Sequence, residues 1–195
     1  EASTPMLKHL ARLDASFWDW SGLRATGSLI TRHRALLCYL AVIAVLAHPY
    51  TLFSFSLNMD SESHAFHSGP KDLWVAQGRW GMYLLNQYLL PDSVIPFFPP
   101  FIALAGCAIG AFFLTLTLSP VRSWADYLAT PIAIGCPILY FALYFTTLGY
   151  GVGIGFATAA IGVYALTRWT LACGVAAIGL FAFSIGIYQA LLPLM

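Results

Sequence analysis

Hydrophobic residues in this chain gather into long unbroken runs instead of alternating with polar ones. Residues 35–56 carry no formal charge. As a helix rising ~1.5 Å per residue they reach about 33 Å, enough to cross a hydrocarbon core of about 30 Å. Residues 97–118 form a second such run. From 127 to 167 no charged residue occurs at all. That stretch measures about 62 Å as a helix, too long for one crossing and enough for two. Gly149-Tyr150-Gly151 is the place to divide it, giving spans over 128–148 and 149–166, and 171–192 is the last run. Strand-type alternation is absent, so the expected fold is all-α and not a barrel. It is a polytopic helical membrane protein with about five transmembrane helices, spans three and four forming a re-entrant pair in the alternative reading.

The flanking segments have their own patterns. In 1–34, Met6, Leu7, Leu10, Leu13 and Phe17 recur at helical spacing beside Trp18 and Trp20. They predict an amphipathic helix lying on a membrane surface, against a solvated tail as the plainer alternative. After Pro70, the residues Leu73, Ala76, Trp80, Leu84 and Gln87 repeat at helical intervals. They predict one interfacial helix from about 71 to 90, ended by Pro91, with Arg79 in its middle. The expected organisation is therefore a segment 1–34, a transmembrane domain 35–195, and a polar loop 57–96 between spans one and two.

Composition agrees with this architecture. The 195 residues are 59% hydrophobic and 9% charged, where a soluble domain is about 45–50% apolar and about 25% charged. A soluble enzyme and a disordered chain are excluded, and a net charge of +1 lacks the basic footprint of a nucleic-acid binder. Lys8, Arg12, Arg24, Arg32, Arg34, Arg122 and Arg168 fall on one side of the predicted bundle, and Lys71 and Arg79 on the other. The positive-inside rule makes the first side, with the N-terminus, cytoplasmic, and turns the 57–96 loop outward. No signal peptide precedes the first run. Met6 follows five other residues and Met195 follows an apolar run directly, so the front part of a longer protein is expected. Cys38, Cys107, Cys136 and Cys173 all fall in predicted spans, which argues against a disulfide framework. The run Gly149-x-Gly151-x-Gly153-x-Gly155 has neither the strand nor the Lys-Ser/Thr of a phosphate loop, and reads as a close-packing surface. His48-Pro49 marks a kink facing the bundle.

Reactive groups concentrate in the outer loop. Asp60 and Glu62 emerge close to the membrane boundary, where partial desolvation raises carboxylate basicity and suits a general base. The structural alternative for Asp60 is to cap a short helix starting at Ser61. The planar fork of Arg79 suits a phosphate or carboxylate, the alternative being a side chain that snorkels to lipid headgroups. His64 and His67, with the two acids, have the residue types for Zn²⁺ or Mn²⁺ but match no standard zinc spacing. A divalent metal is an option, and no cofactor is required.

An acidic pair in the first outer loop followed by Gln77-Gly78-Arg79-Trp80-Gly81, with Ile187-Tyr188-Gln189-Ala190 later, resembles the serotype-converting glucosyl transferase family II. The resemblance runs from about residue 35 to the end and covers the front half of a family member. It implies a GT-C type polytopic enzyme of the bacterial inner membrane. Such an enzyme moves a hexose, glucose in this family, from a polyprenyl-phosphate donor to a surface glycan such as O-antigen. It implies Asp60 and Glu62 as catalytic acids, and Arg79, Trp80, Gln77, Tyr188 and Gln189 as substrate-binding residues. Members more often carry adjacent acids; here Ser61 separates them, so both stay candidates. Membrane lipid, the lipid-linked donor and the glycan acceptor are the implied partners, and nucleic acid is not.

The rival classes are a transporter or channel component and a non-catalytic membrane subunit. A transporter places ionisable groups inside its spans, whereas here the five predicted spans hold no Asp, Glu, Lys or Arg, apart from Arg168 at a boundary. A structural subunit gives no reason to gather Asp60, Glu62, His64, His67 and Arg79 in one loop.

Overall fold

The computed structural model describes residues 29–53, 72–89, 97–118, 127–128, 131–132, 134–135, 146–168 and 170–189. All regular structure among them is helical. The helices are α1 (Arg34–Ala47), α2 (Pro49–Phe53), α3 (Asp72–Ala76), α4 (Trp80–Tyr88), α5 (Phe98–Leu118), α6 (Thr146–Leu166) and α7 (Leu171–Ile187).

Local sequence explains where these helices start and stop. Pro99 and Pro100 stand in the first turn of α5, where a missing N–H costs no intrahelical bond. Thr170 caps α7, its side-chain oxygen accepting from the Cys173 amide at 3.2 Å. Pro49 disfavours a helical conformation at His48, so α1 ends there and α2 starts at the proline. The break faces inward: His48 is buried, with Nε2 2.9 Å from the carbonyl of Ile134.

Helix α6 packs along α5 on one side and α7 on the other, and α1 lies against α5. Small residues allow the close approach. A Cβ on Gly153 would collide with the backbone of Ala103, and one on Gly106 with the backbone of Gly153. Without those side chains α5 and α6 meet backbone to backbone. Between α6 and α7, the buried Ser184 hydroxyl donates to the carbonyl of Gly155 at 2.8 Å. Leu40, Phe112, Met82 and Ile187 fill the fully buried centre.

The contacts sort into two ends. The C-terminal ends of α5 and α6, Arg168 and the start of α7 share one end, where Phe113 packs on Tyr164 and Arg168 donates to the Tyr164 hydroxyl. The starts of α5 and α6, the end of α7, and α3 and α4 share the other.

Two helices, Phe98–Leu118 and Gly149–Leu166, are long and apolar enough to cross a membrane, with mean hydropathies of 2.2 and 1.4. Arg34–Ala47 and Leu171–Ile187 are apolar but shorter. The outward faces stay greasy, with Leu46 69%, Phe101 60% and Ile178 68% exposed. Most of predicted span 128–148, and residues 1–28, lie outside the described residues, so a count of five spans is not reached among them.

Two expectations are corrected. The helix predicted over 71–90 is two helices, because Gly78 takes a φ of 73° and turns the chain between α3 and α4. The boundary expected at Gly149-Tyr150-Gly151 lies before Thr146, where α6 begins, and the predicted span 149–166 is otherwise one apolar helix. Gly151 packs against Met82 and Ile187 and Gly153 against Ala103, as the close-packing reading of this run expects, and that packing offsets their poor helix propensity.

Candidate functional site

The turn between α3 and α4 builds the site. The Arg79 amide donates to the carbonyl of Trp74 at 2.7 Å, and the Gly78 amide to that of Val75 at 2.9 Å. This pair of crossed bonds closes the end of a helix on a left-handed glycine. Gly78, at φ 73°, supplies that conformation without the steric cost a side chain would bring. Arg79 then serves as N-cap of α4, its carbonyl accepting from Tyr83 at 3.1 Å. It therefore sits at the junction of two helices and not mid-helix.

The last turn of α7 comes to this junction. Tyr188 leaves the helix with an extended backbone, and its ring centroid lies 5.2 Å from the Arg79 guanidinium carbon. Trp74 stands 5.7 Å from the same carbon. Two aromatic rings thus hold one cation by its attraction to their π faces. The Arg79 Nε is buried and has no hydrogen-bond partner among the described residues. The next residue, Gln189, donates from Nε2 to the carbonyl of Gln77 at 3.0 Å.

Trp80 and Gly81 seat α4 on α7. The indole packs edge-to-face on Phe183 with centroids 5.9 Å apart and covers Gly186, where a Cβ would run into the ring. It stays 41% exposed. A Cβ on Gly81 would stand 2.9 Å from backbone atoms of Phe183, Gly186 and Ile187. The space left by glycines 78 and 81 is thus taken by the protein's own α7 and Gln189. Beneath this layer Tyr150 donates from its hydroxyl to Asn86 Oδ1, while Asn86 Nδ2 is buried with no hydrogen-bond partner among the described residues.

All five residues expected to bind substrate, Gln77, Arg79, Trp80, Tyr188 and Gln189, are therefore brought to one place. Asp60, Glu62, His64 and His67 lie outside the described residues. Among the described residues no three His, Cys, Asp or Glu side chains gather as a metal site, and Cys38, Cys107 and Cys173 are free thiols. Sequence reasoning missed the roles of Trp74, Asn86 and Tyr150. The signal available for Trp74 was Gly78 following a short helical pattern, which marks a helix end.

A guanidinium backed by two rings, with a buried N–H unpaired, is suited to the oxygens of an anion. The sequence model of the family described as Glucosyl transferase GtrII matches residues 49–195, a stretch that includes every residue of this junction. Among curated proteins and among solved structures, none matches the chain. The match covers most of the chain, which therefore belongs to the Glucosyl transferase GtrII family and is a glycosyltransferase by that membership.

Proposed function

We propose that the chain is the donor-binding front of a GT-C type enzyme in the bacterial inner membrane. It moves glucose from a polyprenyl-phosphate donor to a surface glycan such as O-antigen, on the periplasmic face. The observation that carries this reading is the Arg79 guanidinium facing the Trp74 and Tyr188 rings, with its Nε unpaired among the described residues. The exposed apolar flanks suit a lipid surround. Arg168, just before α7, stands at the end of that helix opposite Arg79, in keeping with a cytoplasmic side there and the donor site at the outer surface.

In the proposed reaction Asp60 or Glu62 accepts the proton of the acceptor hydroxyl as its oxygen bonds to the anomeric carbon. The bond from that carbon to the donor phosphate breaks, and the phosphate leaves as a stable anion that needs no acid. Arg79 supplies positive charge to the departing oxygens. Direct displacement inverts the anomeric centre. Trp80 offers its exposed indole beside the site, and a divalent cation held by the acids with His64 and His67 is the alternative source of charge.

The test is turnover of the full-length enzyme with Arg79→Gln, Asp60→Asn and Glu62→Gln. Arg79→Gln, and at least one of the acid variants, lower it about 10²–10⁴-fold at normal protein levels. Wild-type turnover in Arg79→Gln refutes the phosphate role, and wild-type turnover in the double acid variant refutes the base.

A further inference from the structure

We infer that Gln189 is a positioning residue for Arg79: its side chain latches the turn that presents the guanidinium, and it does not itself contact substrate. The inference rests on the donor-phosphate reading of Arg79 and deepens it. Gln189 commits its Nε2 to the carbonyl of Gln77, 3.0 Å away and 112 positions earlier in the chain. That carbonyl belongs to the peptide unit leading into Gly78. A Cβ on Gly78 would stand 3.0 Å from the same Nε2, so the latch lies directly against a position where the φ of 73° favours glycine.

Gly78 has no side chain with which to anchor its own turn. Its fixed points are the two backbone bonds to Val75 and Trp74 on one side and the Gln189 amide on the other. Tyr188, next to Gln189, faces the guanidinium at 5.2 Å. Two consecutive residues at the end of α7 therefore grip the turn, one by the backbone before Arg79 and one by the cation itself. A cation held this way is oriented before the donor arrives, which favours a charge that must meet a developing phosphate anion.

The experiment is a double-substitution cycle in the full-length enzyme: Gln189→Glu, Gln189→Ala and Arg79→Gln, alone and combined. Glutamate keeps the shape of glutamine but its carboxylate cannot donate to a carbonyl. Each Gln189 substitution is expected to lower turnover about 10–100-fold in the wild-type background, the scale of a small misplacement of a reacting group. In the Arg79→Gln background the same substitution is expected to change turnover less than about threefold, because Gln189 acts through Arg79. An equal loss in both backgrounds overturns the latch and makes Gln189 an independent contact, and wild-type turnover in Gln189→Glu overturns it as well. Hydrogen exchange at the Gly78 and Arg79 amides provides a readout independent of Arg79 chemistry. Faster exchange in Gln189→Glu supports the latch and unchanged protection refutes it, even where Arg79→Gln proves fully active and the donor-phosphate reading falls.

Discussion

Gly81 and Gly186 meet without side chains between them: a Cβ on Gly81 would stand 2.9 Å from the carbonyl carbon of Gly186. This contact fixes how far α4 sits from α7, and through it the distance from Arg79 to Tyr188. The neighbouring atoms are backbone and cannot swing away. Gly81→Ala should therefore cost about 1–3 kcal/mol, the usual penalty of overpacking, and lower turnover as well. Thermal unfolding in detergent and a turnover assay check both. Unchanged values mean that α4 rests less firmly on α7 than the contact implies.

The seam between α5 and α6 makes the parallel prediction for stability alone. Gly153→Ala drives a methyl into the backbone of Ala103, and is expected to destabilise by about 1–3 kcal/mol or more. Among the described residues, none comes within 4 Å of where a Cβ on Gly174 or Gly179 of α7 would stand. Alanine at either should be neutral, or stabilising by up to about 1 kcal/mol through helix propensity. Denaturant unfolding of the three variants side by side gives the comparison.

Tyr150 and Asn86 form a polar pair under the site. Tyr150→Phe removes the hydroxyl and leaves Asn86 with neither its acceptor nor its buried Nδ2 satisfied. The expected cost is about 1–3 kcal/mol, the penalty of a buried polar group left alone. Tyr150→Phe with Asn86→Leu should recover most of it, since replacing both partners by apolar groups is close to neutral. Unfolding of the single and double variants decides.

The topology is tested by labelling. Single cysteines at Ser68 and Ser123, in a background without native cysteines, should react differently with an impermeant thiol reagent in intact cells. Labelling at Ser68 and protection at Ser123 is the expected pattern, from the bias of Lys and Arg toward the cytoplasm. The reverse pattern places Arg79 on the cytoplasmic side and contradicts an outer donor site.

Much of the helical layout was legible because long apolar runs leave few alternatives: residues 98–118 read as a helix from composition alone. In the sequence Gly151 and Gly153 read as a close-packing surface, and they form one; what they pack against, Met82 and Ala103, lies far away in the chain and is not legible from it. Gly78 is misjudged by the pattern. The apolar repeat ran on across it, and a local backbone requirement prevailed over periodicity. For the site, the Gln77–Gly81 stretch and Tyr188-Gln189 were each visible as short motifs. That one grips the other depends on how α7 ends beside α4, which no spacing reports. Trp74 belongs to no motif, and its ring facing the Arg79 guanidinium became visible only in the structure.

The most direct test of the central claim, that Arg79 holds the donor phosphate, is donor-lipid affinity and turnover of Arg79→Lys in the purified full-length enzyme. Lysine keeps the charge but loses the planar fork and its fit between Trp74 and Tyr188. The account predicts at least a tenfold weaker affinity and a matching loss of turnover at unchanged protein level, because the two-pronged bond to phosphate is gone. Wild-type affinity and turnover in Arg79→Lys would contradict it, since any long cation would then do, as a residue that merely reaches for headgroups allows.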